Sequence, residues 1–219
     1  MSFTSLSEVI NSRQKGERLA LLLRHAERRH ILPTDADYGA HVRITEQGHE
    51  QATNVGKALT SFASAQYFSS PVMRCRETAS TIAKARGDEA FDIPEKVIPI
   101  QRLAEFYVAD FKEYERLLRE GFYEAIFDYL ETGKAFGFLP MAEASQEFLN
   151  LIVEHSTEAL NVFVSHDAWI VPFLTHFTDV RFAPNRWMNF LSGAAIFLSE
   201  KTPSRIIPVA GLGDGYLRF

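Results

Sequence analysis

The sequence predicts a three-layer α/β/α sandwich built on a mostly parallel central sheet. Three observations carry that prediction. Leu19-Ala20-Leu21-Leu22-Leu23 and Val162-Phe163-Val164 are apolar runs without alternation, the pattern of strands buried on both faces. Strand candidates alternate with helical stretches, which gives a parallel sheet covered on both sides. Both apolar runs also end abruptly in chemistry-bearing residues, Arg24-His25 and His166-Asp167. Ligands of such sheets bind beyond the carboxyl ends of the strands.

The elements follow in order. Residues 3–15 suit a short helix, and Leu19–Leu23 is the first buried strand. A loop rich in Pro, Asp, Gly and Tyr runs from Pro33 to Gly39. Thr45 is an N-cap candidate for a helix reaching about Ser64, with apolar residues at Ala52, Val55, Ala58 and Leu59. Ala65–Phe68 is a short strand, stopped by Ser69-Ser70-Pro71, and a helix follows from about Met73 to Arg86. Val97–Leu103 reads as another strand. Residues 106–150 are dense in Phe and Tyr at helical spacing, and the segment is expected to form a helical cap. Ala142–His155 and Trp169–His176 are helices, and Ala194–Ser199 and Arg205–Val209 are late strands. No linker-like stretch divides residues 1–219, so a single domain is expected.

Composition narrows the function classes. The chain has 219 residues, 46% hydrophobic and 23% charged, ordinary for a globular protein. That length buries roughly 70% of the unfolded surface without a metal or disulfide staple. A net charge of −5 gives no electrostatic pull toward nucleic acid or an anionic membrane. Cys75 is the single cysteine, so an intrachain disulfide is excluded. The polar N-terminus lacks the apolar core of a signal peptide, and no apolar run approaches the ~20 residues that span a bilayer. A cytoplasmic location is expected. No pattern sets an oligomeric state.

Neighbouring strands would deliver His25 and His166 to one sheet edge. Arg74, at the start of a helix that follows a third strand, reaches that edge too. Guanidinium groups and helix N-termini together bind a phosphate dianion well. Positive neighbours also keep His25 neutral, hence able to attack phosphorus. Catalysis of that kind rests on positioning and charge stabilisation, which arginines supply without a metal or other cofactor. His25-Ala-Glu-Arg-Arg-His30 is not a zinc helix, because the histidines are five apart and the Glu is displaced. His30, His41, His49, His155 and His176 read as surface or packing residues, although His41 and Arg43 are placed to line the substrate mouth.

Four elements, in order, carry a family resemblance. Arg24-His25-Ala26-Glu27 resembles the Arg-His-Gly signature of the histidine phosphatase superfamily, which contains the phosphoglycerate mutase-like and acid phosphatase proteins. Ile44-Thr45-Glu46-Gln47-Gly48-His49-Glu50-Gln51-Ala52 is similar to its Leu-Thr-x-x-Gly-x-x-Gln-Ala element. Ser69-Ser70-Pro71-Val72-Met73-Arg74-Cys75-Arg76-Glu77-Thr78-Ala79 is similar to its Ser-Ser-Pro-x-x-Arg-x-x-Glu-Thr-Ala element, and Ser165-His166 matches the second catalytic histidine. Ala26 stands where the signature has glycine, which is expected to narrow the phosphate pocket.

The resemblance implies a phosphoglycerate mutase-like fold and a set of roles. His25 becomes the phosphorylated nucleophile, and Arg24, Arg74 and His166 hold the phosphoryl oxygens. Arg28 matches a further phosphate-binding arginine of the acid phosphatase branch. The general acid has two candidates: Asp167, as in that branch, and Glu105, in the Leu-x-Glu context of the mutase-like branch. Asp167 is slightly preferred. The expected activity is hydrolysis of a small phosphomonoester; a phosphoryl-transferring mutase and a non-catalytic phospholigand-binding module are the alternatives.

Overall fold

The computed structural model describes residues 2–32, 34–200 and 202–218. The first strand β1 (Thr4–Ser5) leads into helix α1 (Leu6–Asn11). Ser5 caps α1 through the Glu8 backbone N–H, and the Glu8 carboxylate accepts from the Ser5 N–H in return. The helix is therefore shorter than residues 3–15, because Ser5 fixes its start and the chain leaves it at Ser12.

Strand β2 (Arg18–Arg24) is the centre of the sheet. Helix α2 (Glu46–Ala58) leads to β3 (Ala65–Ser69), α3 (Met73–Arg86) and β4 (Ile98–Pro99). Three further helices follow: α4 (Phe111–Glu120), α5 (Phe122–Thr132) and α6 (Met141–His155). Strand β5 (Leu160–Ser165) and helix α7 (Asp167–Phe177) precede β6 (Arg186–Met188), β7 (Gly193–Ser199), β8 (Thr202–Ala210) and β9 (Tyr216–Arg218).

Among the described residues the main sheet has seven strands in the order β1-β8-β7-β2-β5-β3-β4. All of them run in one direction except β7, which is antiparallel to both its neighbours. Strands β6 and β9 form a separate antiparallel pair, which the sequence reading did not anticipate. The expected strand at 97–103 shrinks to two residues. Pro99 offers no N–H to extend the ladder, and Gln101–Ala104 turns into a 3-10 helix.

Period-two alternation splits the core in two. In β2, Leu19, Leu21 and Leu23 join one apolar cluster while Ala20 and Leu22 join the other. The first cluster lies under α1, α2 and α3, through Val9, Val55, Ile82 and their neighbours. The second is covered by α5, α6 and α7, through Tyr129, Phe148 and Phe173. Strands buried on both faces and helices on both sides make the three layers. The aromatic residues of 106–150 pack into this second cluster, where Phe106 stacks on Phe148 at 4.4 Å. The helical spacing from Phe111 to Tyr129 is divided between α4 and α5, which meet at Gly121. No described helix is long and apolar enough to cross a membrane.

Helices α2 and α3 pack closely at Gly56, where an added Cβ would collide with the Ile82 carbonyl oxygen. Alanine at this position gains up to about 1 kcal/mol of helix propensity. Overpacking opposes that gain with about 1–3 kcal/mol. Gly56→Ala is therefore expected to be destabilising in urea unfolding; a stabilised variant would show that α2 and α3 do not touch there.

Candidate active site

Pairing of β2 with β5 sets the geometry. Their parallel register places Arg24 opposite Ser165, and the His25 N–H donates to the Ser165 carbonyl at 3.0 Å. His25 and His166 thus leave adjacent strand ends together. Their ring centroids are 5.7 Å apart, edge to face.

Each imidazole is oriented by a different partner. The His25 Nδ1 lies 2.8 Å from the Ala26 carbonyl oxygen. A carbonyl only accepts, so Nδ1 carries the proton and Nε2 keeps its lone pair. On His166, Nε2 faces the Ser70 hydroxyl at 3.0 Å, and Arg74 Nη2 donates to Nδ1 at 3.4 Å. Burial holds His25 well below the usual 6.5, helped by the charges of Arg24 and Arg74 and by His166. Burial and Arg74 push His166 down to about 3, against the opposing pull of Asp167. Both rings are therefore neutral at pH 7.

The arginines are anchored separately. Arg24 is 4% exposed; it reaches Asp167 at 3.1 Å, donates to the Met188 carbonyl, and lies 4.2 Å over the Phe190 ring. Arg74 donates to the Gly39 carbonyl at 2.9 Å, and its buried Nε has no hydrogen-bond partner among the described residues. Arg28 is half-buried beside them and donates to the Arg29 carbonyl at 2.9 Å. Two helix N-termini, those of α3 and α7, open at the same edge without side-chain caps, adding positive potential.

Asp167 opens α7. Burial pushes its carboxyl up, but Arg24, the Trp187 indole N–H at 2.8 Å, Arg28 and His166 outweigh that and hold it below the usual carboxylate range. Glu105 lies to one side. It is half-buried, and its Oε2 accepts from the Gln101 side chain at 3.2 Å. Its neighbours Ala104 and Tyr114 line the adjacent cleft, whereas Glu105 does not.

That cleft has a volume of about 290 Å³ and is bordered by Arg28, Arg74, His166 and Asp167. Arg24 and His25 are buried behind these lining residues. The structure thus brings together Arg24, His25, Arg28, Arg74, His166 and Asp167, and sets Glu105 at the edge. His41 and Arg43 do not line the cleft. Arg43 instead pairs with Glu77, whose other oxygen accepts from the Ile44 N–H at 3.2 Å, and His41 faces Asp35 at 3.4 Å.

The sequence elements around the histidines explain how the loops are held. Thr45 caps α2 by accepting from the Gly48 N–H at 3.0 Å, and its own N–H donates to the Glu27 carbonyl at 2.9 Å. A Cβ on Gly48 would strike that same carbonyl. Gln51 donates to Glu27 Oε2 at 3.1 Å. Thr78 links the Arg74 carbonyl at 2.7 Å to the Ala26 N–H at 3.0 Å. Ser70, Trp187 and Phe190 were not singled out from the sequence. Ser70 sat inside the quoted Ser-Ser-Pro element, while 186–190 carries no motif.

The family model described as histidine phosphatase superfamily, branch 1, matches residues 20–201. The chain belongs to the histidine phosphatase superfamily. Solved structures agree on its fold. A mycobacterial glucosyl-3-phosphoglycerate phosphatase aligns at 16% identity and TM-score 0.55, covering 88% of this chain and 97% of that one. Phosphoglycerate mutase from Bacillus anthracis aligns at 18% and 0.54, covering 90% and 93%. Bacillus stearothermophilus YhfR aligns at 20% and 0.56, covering 89% and 96%. No curated protein matches. This histidine phosphatase relative thus has a phosphoglycerate mutase-like fold.

Both neutral histidines tie stability to pH. Their folded pKa values lie below 6.5, the unfolded value. Between those limits the unfolded chain binds more protons. Stability is therefore complete above about pH 6.5 and declines below it, by up to about 1.4 kcal/mol per pH unit for each histidine. Asp167, depressed in the folded state, adds loss only below about pH 4. The Tm is expected to fall from about pH 7 to about pH 5, and less steeply in His166→Gln. A Tm level across that range would contradict the buried neutral rings.

Proposed function

We propose that the protein is a phosphomonoester phosphatase that works through a phosphohistidine on His25. The observation that carries this reading is the Nδ1 contact to the Ala26 carbonyl. It leaves the Nε2 lone pair of a neutral ring among arginines, which is what attack on an anionic phosphoryl group requires.

Nε2 forms a bond to phosphorus as the ester P–O bond breaks and the alcohol leaves. Water then attacks the phosphohistidine, the N–P bond breaks, and inorganic phosphate departs. Arg74, Arg28 and Arg24 spread the charge on the phosphoryl oxygens, so the arginines take the part that a metal plays elsewhere. His166, accepting at Nδ1, has its one N–H on Nε2 and exchanges Ser70 for a phosphoryl oxygen. Arg74 Nε finds its acceptor in the same group.

The leaving alcohol needs a proton. Asp167 is already ionised, engaged with Arg24 and Trp187, and its role in this reading is to position Arg24. Glu105 forms no ion pair among the described residues and adjoins the cleft through Ala104, so it is the carboxyl assigned to the leaving oxygen. This reverses the slight preference for Asp167 drawn from the sequence.

His25→Ala is expected to abolish turnover of 4-nitrophenyl phosphate; wild-type turnover would end the proposal. Glu105→Gln separates the carboxyls. A lost general acid lowers the rate on an alkyl phosphate by about 10²–10⁴ and spares 4-nitrophenyl phosphate, whose alcohol leaves without help. Asp167→Asn is expected to slow both substrates alike. The opposite pattern would restore Asp167 as the acid.

A further inference from the structure

Resting on the phosphatase reading, we infer that the substrate's alcohol half is apolar and about one ring in size, as in an arylalkyl phosphate. The cleft that adjoins His166 and Arg74 shows this beyond its phosphate end. Tyr114 and Leu118 of α4 both border it. They are four residues apart, so their side chains cover one strip of the helix. Phe122 continues the strip at the start of α5, and Val72, Ile31 and Trp187 close the other sides.

These walls offer ring faces and few hydrogen bonds. The Trp187 indole N–H is already given to Asp167, and that of Trp169 to the Ala104 carbonyl at 2.7 Å. Neither is left for a sugar hydroxyl. The rings are also braced: Tyr114 lies 5.5 Å from Trp169, and Trp187 meets Phe127 edge-on at 5.5 Å. The Tyr114 hydroxyl is the side-chain donor left on this strip, so a polyhydroxyl leaving group would give up more water contacts here than the wall replaces. Away from the phosphate end, the lining residue with a charge is Asp37, exposed at the rim. It repels a carboxylate such as that of a phosphoglycerate. The volume of about 290 Å³ sits at the small end of ligand clefts, roughly 300–1,000 Å³, which suits one ring and its linker.

The test compares kcat/KM for 2-phenylethyl phosphate, glycerol 3-phosphate and 3-phosphoglycerate. All three release an alcohol of similar acidity, so the ratio reports recognition rather than leaving-group chemistry. The phenylethyl ester is expected to exceed both others by about 100-fold. Leu118→Ala and Phe122→Ala are each expected to lower that ratio by about tenfold, and Leu118→Met to hold it within about twofold. The wild-type ratio needs no variant, and thermal unfolding checks that each variant is folded. A wild-type ratio near one, or a preference for either polar ester, overturns the apolar assignment and leaves the phosphatase reading standing. A ratio unchanged in folded Leu118→Ala and Phe122→Ala also overturns it. Hydrolysis of 4-nitrophenyl phosphate but of none of the three overturns the apolar assignment alone, and hydrolysis of none of the four overturns both.

Discussion

The parallel pairing of β2 with β5 is the constraint on which the site depends. Six residue pairs hold the register, from Leu19 with Leu160 to Arg24 with Ser165. Sliding one strand by a single residue would exchange its faces. Leu19, Leu21 and Leu23 would then enter the cluster now filled by Ala20 and Leu22. Two separately packed cores therefore oppose any slip. The 5.7 Å between the imidazoles is a product of that packing, since each ring is attached to the residue directly after a buried strand.

Charge is the second constraint. Arg24 is nearly enclosed, and a buried guanidinium is costly unless its donors are satisfied. Asp167 and the Met188 carbonyl take its two terminal nitrogens, and the Phe190 ring lies across its face. The histidines resolve the same problem differently, by giving up their protons. Burial and positive neighbours act in the same direction on both rings, so no counter-ion is required. The arrangement concentrates positive charge on the arginines and leaves the nitrogen bases uncharged among them.

How much of this was legible follows from where each contact sits along the chain. The two strand runs, the histidines after them and Arg74 were readable because local pattern fixes them: apolar residues, then an abrupt polar end. The residues that complete the Arg24 environment were not. Met188 is 164 positions from Arg24, in a three-residue strand with no periodicity to detect. Arg43 was misplaced for a related reason. Its loop position suggested the substrate mouth, but Glu77, 34 residues later, offers a nearly buried carboxylate that takes the guanidinium. Pro99 was visible, and its power to truncate β4 outweighed the apolar run around it.

The aromatic segment shows why composition alone could not separate core from cleft. Tyr107 and Tyr114 are seven residues apart and belong to the same dense run. Tyr107 is fully buried and its hydroxyl meets Ser145 at 2.8 Å. Tyr129, further on, donates to the Leu139 carbonyl at 2.6 Å. Those two end in polar partners inside the second core. Tyr114 instead borders the cleft, in the combined field of Asp167, Arg74 and Glu105. Helical periodicity says which residues share a face; it does not say whether that face meets protein or substrate. Here α4 does both, turning Leu117 toward the core and Leu118 toward the cleft, so the layer that closes the sheet also sets the shape of what can approach the histidines.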